Sequence, residues 1–279
     1  MKIVDTKEKL NVVIEQLRAK GSSIGLVPTM GALHNGHLSL VRQSQQKADV
    51  TVVSIFVNPT QFDNKEDLQN YPRPIEQDIL KLEQHGCDVL FMPEVSEMYK
   101  AEERWDYEVG NLDSKLEGEF RPGHYKGVTQ IVYKLFDAVK PDMAFFGQKD
   151  YQQYLVISKM VKDFSLPVNL VLCDIVRESD GLAMSSRNVR LNAEERKVSV
   201  VLYEALLFIK KHFHEYTLAE LQHKAEQLFD ANPLLQLEYI KICDLNTLEQ
   251  ITTKEAKSVI VLVACYVGNV RLIDNMILS

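Results

Sequence analysis

Ile24-Gly25-Leu26-Val27-Pro28-Thr29-Met30-Gly31-Ala32-Leu33-His34-Asn35-Gly36-His37 is the stretch that decides the fold. Ile24 to Val27 is a short apolar run ended by Pro28, and it reads as a buried strand. A glycine-containing turn follows, then a helical pattern from about His37 to Lys47. Val50 to Val57 is β-branched and nearly all apolar, the composition of a strand buried on both faces. Strand, turn, helix and second buried strand form a βαβ unit and imply a parallel sheet.

The same rhythm extends to either side. Upstream, Leu10, Val13, Ile14 and Leu17 recur at helical spacing, with Gly21 as a stop. Downstream, Ile79 and Leu82 mark a helix ended by Gly86, before a strand at Val89–Met92. Val128, Ile131 and Leu135 mark another helix before a strand at Met143–Phe146. Tyr154–Val161 is helical and Val168–Leu172 a strand. Beyond Val176 the rhythm changes. A polar stretch, Arg177 to Asn192, leads to helices at Glu194–His212 and Leu218–Phe229. Strand-like runs follow at Tyr239–Ile242, Val259–Val267 and Val270–Ile273, the last two joined by a tight hairpin around Gly268-Asn269. The predicted fold class is therefore α/β. A Rossmann-like parallel-sheet domain spans residues 1–176, and a smaller α+β domain with an antiparallel sheet spans residues 177–279.

The bulk numbers narrow the partners. A net charge of −7 lacks the Lys/Arg surplus that a nucleic acid or an anionic membrane surface would want. Met1 to Asp5 lacks the apolar core of a signal peptide, and Val259–Val267 is too short to span a bilayer. Cys87, Cys173, Cys243 and Cys265 form no Cys-x-x-Cys pair and read as buried free thiols. A cytoplasmic setting fits that usage.

The chemistry gathers at strand ends, where parallel α/β sheets bind ligands. Thr29 to His37 enters a helix whose first amides and positive dipole end suit phosphate. Gly31 and Gly36 let the backbone approach closely. His34 and His37, three residues apart, can turn both rings to one side and donate to oxygens that gain charge. The bland alternative is a turn with two surface histidines. A metal pair is the other, and it lacks a third ligand of matching spacing. Asn58-Pro59-Thr60-Gln61-Phe62 follows the second strand, and Gln61 offers an uncharged donor–acceptor amide. Gly147-Gln148-Lys149-Asp150 follows the strand Met143–Phe146, with Lys149 as a point charge and Asp150 as a helix N-cap. Met184-Ser185-Ser186-Arg187-Asn188 puts two hydroxyls and a guanidinium in the polar stretch, where a flexible connector can close over a ligand.

Taken in order with Tyr71-Pro72-Arg73 and Phe120-Arg121-Pro122-Gly123-His124-Tyr125, these motifs resemble the pantothenate synthetase (pantoate–β-alanine ligase) family. That family lies within the His-x-Gly-His nucleotidyltransferases, and the resemblance spans essentially the whole chain.

The resemblance implies an ATP-dependent, AMP-forming ligase that makes pantothenate in two steps through pantoyl adenylate. It implies pantoate, β-alanine and ATP as small-molecule substrates, Mg²⁺ with the ATP, and a homodimer. It assigns ATP to Met30, Gly31, Ala32, Leu33, His34, Asn35, Gly36, His37, Gly147, Gln148, Lys149, Asp150, Val176, Met184, Ser185, Ser186 and Arg187. It gives catalysis to His37, His34, Lys149 and Arg187, with His37 as proton donor. Gln61 and Gln153 go to pantoate, Gln61 also to β-alanine, and residues 177–279 form a lid over the ATP site.

Gln148 stands where many relatives carry an acidic residue. Gln152 is expected on a solvated helix face. Arg121 is a secondary candidate in a loop that reads as a lid or subunit contact. Asp78 is a candidate Mg²⁺ or water-shell ligand, set against an ordinary solvated helix carboxylate. Two other function classes compete: a plain adenylyl- or cytidylyltransferase that leaves the nucleotide on its product, and a non-catalytic nucleotide-binding module.

Overall fold

The computed structural model describes residues 1–255 and 258–278. The chain divides into two units, Met1–Gly147 with Gln152–Asp174, and Gln148–Tyr151 with the chain from Ile175 onward.

In the first unit the apolar runs become a six-stranded parallel sheet. Its strands are β1 (Lys2–Val4), β2 (Ile24–Thr29), β3 (Val50–Ile55), β4 (Val89–Phe91), β5 (Met143–Gly147) and β6 (Asn169–Cys173), in the order β1-β4-β3-β2-β5-β6. The helices are α1 (Lys7–Arg18), α2 (Asn35–Lys47), α3 (Lys65–Gln69), α4 (Ile75–Gln84), α5 (Val95–Met98), α6 (Glu117–Phe120), α7 (His124–Val139) and α8 (Tyr151–Asp163). Ile24 and Leu26 pack into one apolar cluster and Val27 into a second, so alternate side chains of β2 serve opposite faces. That is the three-layer arrangement which the unbroken apolar runs imply.

Two differences from the sequence expectation have local causes. β2 does not end at Pro28 but runs on to Thr29. Its pairing with β3 continues to Thr29, while pairing with β5 extends only from Gly25 to Leu26. The proline thus falls where one flank is already unpaired, a position that tolerates a missing N–H donor. The edge strand β1 has no counterpart in the sequence expectation, because three residues carry no periodicity; it pairs with β4 from Lys2 to Val4.

The second unit holds α9 (Ala193–Val198), α10 (Val201–His212), α11 (Leu218–Asp230), β7 (Leu235–Asp244), β8 (Val259–Val267) and β9 (Val270–Ile277). The three strands form an antiparallel sheet in the order β7-β8-β9. Val267 pairs with Val270, so Gly268-Asn269 is the two-residue hairpin expected. The single helix expected over Glu194–His212 is two helices. Ser199 is fully buried at the break and its hydroxyl donates to the Arg196 carbonyl, the back-bonding that bends helices.

The strand order also locates the working end of the sheet. From β2 the chain moves to β3 on one side, and from β5 to β6 on the other. β2 and β5 are neighbours whose onward connections diverge, which is the switch point of an open α/β sheet. The turns leaving these two strands are Met30–His34 and Gln148–Asp150.

Candidate active site

The turn after β2 is shaped by two successive left-handed residues, Gly31 at φ +81° and Ala32 at φ +49°. For alanine that conformation costs roughly 1 kcal/mol. It is held from below by α4. Asp78 is fully buried, and its two carboxylate oxygens accept the amides of Ala32 at 2.7 Å and Leu33 at 2.8 Å. Lys81, one turn along, donates to the Leu33 carbonyl at 2.6 Å. The expectation of a solvated Asp78 is therefore corrected: both oxygens are occupied by backbone amides, which makes burial of the carboxylate tolerable.

His34 is the N-cap of α2, which starts two residues earlier than the apolar pattern suggested. His34 and His37 form a capping box made of two imidazoles. His34 Nδ1 accepts the Gly36 amide at 3.1 Å, and His37 Nδ1 accepts the His34 amide at 3.4 Å. The ring centroids lie 4.1 Å apart. With Nδ1 accepting in both, each neutral ring carries its proton on Nε2. Two N–H donors thus belong to one helix start.

Gln61 sits in a three-residue 3-10 turn, Pro59–Gln61, beyond β3. Its side-chain amide donates to the Met30 sulfur at 3.1 Å, which brings the second motif against the first. Asn58 is buried and its amide is fully used. Its nitrogen donates to Gln61 Oε1 and to the Gly127 carbonyl, while its oxygen accepts from Thr60 and Tyr99.

The Phe120–Tyr125 motif does not stand off as a lid. His124 Nδ1 donates to the Gln61 carbonyl at 2.8 Å, and Arg121 reaches the same carbonyl at 3.4 Å. Arg121 also lies 3.2 Å from His124 Nε2 and 3.4 Å from Asp63. Burial, aided by the Arg121 charge and opposed by the Gln61 bond, lowers the His124 pKa to about 4. The ring is neutral, with Nδ1–H donating and Nε2 accepting. Gly127 completes the brace: a Cβ there would stand 2.3 Å from the Thr60 carbonyl oxygen.

On α8, Gln153 is half-buried. Gln152 corrects its expectation of a solvated face. It is 2% exposed, accepts the Glu117 amide and donates to the carbonyls of Leu112 and Lys115.

The remaining candidates belong to the second unit, apart from Gly147 at the end of β5. Gln148–Asp150 form a 3-10 turn, with the Lys149 ammonium 3.8 Å from the Asp150 carboxylate. Gln148 directs its amide nitrogen to Asn275 Oδ1 at 3.1 Å. The Val176 carbonyl accepts the Met184 amide at 3.0 Å, and Arg177 bridges to Ala183. Ser185 caps the 3-10 turn Ser186–Arg190 by accepting the Arg187 amide. Among the described residues no group of three or more His, Cys, Asp or Glu is arranged to hold a metal ion. No described helix is long and apolar enough to cross a membrane. All four cysteines are buried free thiols, as expected.

The supporting contacts of Asp78, Lys81, Asn58, His124 and Asn275 escaped the sequence reading, because each reaches a partner 41 to 127 residues away. The Asp78/Lys81 spacing, which puts both on one helix face, was the signal available for that pair.

A parallel sheet whose switch-point strand carries a donor-lined helix start is the frame of a nucleotide-using α/β enzyme. The family model of pantoate–β-alanine ligase matches residues 2–277, and the chain belongs to that family, the ligases that join pantoate to β-alanine using ATP. A pantothenate synthetase from Bacteroides thetaiotaomicron is 46% identical over 277 residues, covering 99% of this chain and 98% of that protein. The crystal structure of pantothenate synthetase from Thermus thermophilus has a TM-score of 0.93 and 41% identity, covering 99% of both chains. That of pantoate–β-alanine ligase from Francisella tularensis, complexed with β-γ ATP and β-alanine, has a TM-score of 0.83 and 35% identity, covering 99% of this chain and 97% of that one.

Proposed function

We propose that the chain makes pantothenate through a pantoyl-adenylate intermediate, with ATP handled by the Met30–His37 turn, Gly147–Asp150, Val176 and Met184–Arg187. The single observation behind this reading is the imidazole capping box at the switch point, which assigns two Nε2–H donors to one helix start.

In the first step the pantoate carboxylate attacks the α-phosphorus and pyrophosphate leaves. That step asks for placement and charge stabilisation, which His34, His37, Lys149 and Arg187 supply as donors. Because the Ala32 and Leu33 amides are occupied by Asp78, these two residues serve the nucleotide by shape rather than as amide donors. Gln61 and Gln153 hold pantoate, with the weak Gln61–Met30 sulfur contact exchangeable for a hydroxyl. In the second step the β-alanine amine, placed by Gln61, attacks the acyl carbon and AMP leaves. The Francisella relative in complex with β-γ ATP and β-alanine supports ATP and β-alanine as substrates.

Magnesium bound with ATP would neutralise phosphate charge as pyrophosphate leaves, and an ion that usually keeps several waters asks for few dedicated protein ligands. The resemblance further assigns a homodimer and the lid role of residues 177–279, and the free thiols accord with the cytoplasm.

ATP–pyrophosphate exchange dependent on pantoate tests the first step, and AMP release dependent on both pantoate and β-alanine tests the whole. His37→Ala is expected to cut exchange by roughly a hundredfold or more in a folded protein. Near-normal exchange would sink the assignment. A product that retains the nucleotide would favour a plain transferase.

A further inference from the structure

Lys149 sits on a turn of three residues, too short to hold its own geometry by repeated hydrogen bonds. The neighbouring side chain that grips this turn comes from β9. Asn275 is 1% exposed, and its Nδ2 donates both hydrogens, to the Gln148 carbonyl at 2.8 Å and the Lys149 carbonyl at 2.9 Å. Its Oδ1 accepts from Gln148 Nε2 at 3.1 Å. Both amide hydrogens are therefore used, and flipping the amide would set an oxygen against two carbonyl oxygens.

The base of this grip is itself fixed. Asn275 pairs with Leu262 of the central strand β8. Its neighbour Asp274, 2% exposed, takes Arg177 in a two-point contact at 2.5 and 3.0 Å. The same guanidinium reaches the Asn275 and Gly181 carbonyls and packs over the Tyr203 ring. Two consecutive residues of one strand thus hold the candidate ATP turn Gln148–Lys149 by its carbonyls and, by the Arg177 guanidinium, the Arg177–Ala183 turn that runs between the candidates Val176 and Met184. A site built on sheet backbone is placed more tightly than one built on loop alone.

We propose that Asn275 is a positioning residue for the ATP-activating step, holding the peptide carbonyls of Gln148 and Lys149 so that the Lys149 ammonium meets the phosphates at a fixed place. This rests on the reading that Lys149 acts on the polyphosphate. It explains why a glutamine at 148 is compatible with the site: its amide completes the Asn275 set rather than facing nucleotide. A misplacement of about 1 Å costs on the order of a hundredfold in rate.

The test is Asn275→Asp, close in shape but able to donate no hydrogen when ionised and one at most when protonated, against the two that Asn275 gives. Pantoate-dependent ATP–pyrophosphate exchange is expected to fall roughly ten- to a hundredfold in kcat, with a smaller change in KM for ATP. Conversion of supplied pantoyl adenylate with β-alanine should stay within about twofold, since no pyrophosphate departs in that step. Lys149→Met is measured alone and in the Asn275→Asp background. It should cost much in the first and little more in the second. Normal exchange in a folded Asn275→Asp protein, with Lys149→Met impaired, overturns the proposal. So does an equal loss in both half-reactions, which marks a general structural role. Normal exchange in Lys149→Met overturns the underlying reading of the site instead. Asn275→Ala, which adds no charge, is measured the same way if the aspartate variant does not fold. Failure of both to fold assigns Asn275 to the fold and also overturns the proposal.

Discussion

Asp78 and Ala32 meet across 46 residues of chain: the buried carboxylate accepts the Ala32 amide at 2.7 Å while Ala32 holds a left-handed φ of +49°. The turn that presents the two histidines is thus set by a side chain on another helix. Asp78→Asn keeps the shape but replaces one acceptor with a donor, leaving an amide of Ala32 or Leu33 facing N–H groups. The expected loss is about 2 kcal/mol of stability, with pantoate-dependent exchange falling by roughly tenfold or more. Urea unfolding and exchange rates on one preparation check this. A variant matching the parent in both would remove Asp78 from the turn's support.

The capping box makes a statement about protons. Both Nδ1 atoms accept backbone amides, so His34 and His37 are expected as Nε2–H tautomers. Imidazole nitrogen shifts in the labelled protein should show an unprotonated Nδ1 on both rings at neutral pH. Substitution separates the two nitrogens. Asparagine at 37 mimics Nδ1 and should keep the cap while losing exchange activity, whereas glutamine, reaching toward Nε2, should keep more activity. An Nδ1–H tautomer on either ring contradicts the arrangement.

His124 carries a pH dependence. Its folded pKa is lowered from 6.5 to about 4. Between those values the unfolded chain binds a proton that the native ring does not, so stability rises with pH through that window. The contribution is fully present above pH 6.5 and is lost as pH falls toward 4, with an upper size of roughly 3 kcal/mol. Urea midpoints from about pH 7 to about pH 4 should therefore fall more steeply for the parent than for His124→Asn, which can still donate to the Gln61 carbonyl. Parallel slopes would mean that burial of this ring does not govern its charge.

What the sequence made legible follows the range of each interaction. The β-branched runs at Val50 and Val259 and the three-residue histidine spacing are local, and strand, hairpin and histidine pair follow from them. Ser199 breaks a helix by bonding a carbonyl three residues back, yet serines also occur within helices, so the break was not readable. Gln152 and Gln153 are adjacent on one helix start, and only the segment Leu112–Glu117 packed over the first tells them apart. Asp78, His124 and Asn275, whose hydrogen bonds hold the candidate turns, act on chain 45 to 127 residues away. Apart from the Asp78/Lys81 spacing on one helix face, nothing in their own neighbourhoods declares that contact.

Gly127 offers the sharpest separation between local propensity and tertiary demand. It lies in the first turn of α7, where alanine ordinarily favours the helix by up to about 1 kcal/mol. Here an added Cβ would meet the Thr60 carbonyl oxygen at 2.3 Å, its carbon at 2.5 Å and the Gln61 amide nitrogen at 2.7 Å, all backbone. Relief requires the Pro59–Gln61 turn to move away from the helix, straining the Asn58–Gly127 and His124–Gln61 bonds together. Gly127→Ala is therefore expected to lower the thermal midpoint rather than raise it. Because Gln61 is displaced and meets the Met30–His37 turn only through the weak Met30 sulfur contact, KM for pantoate should rise several-fold and KM for ATP should change less. Thermal denaturation with steady-state kinetics in both substrates decides the matter. A stabilised variant with unchanged pantoate KM would show that the close approach of α7 does not position Gln61.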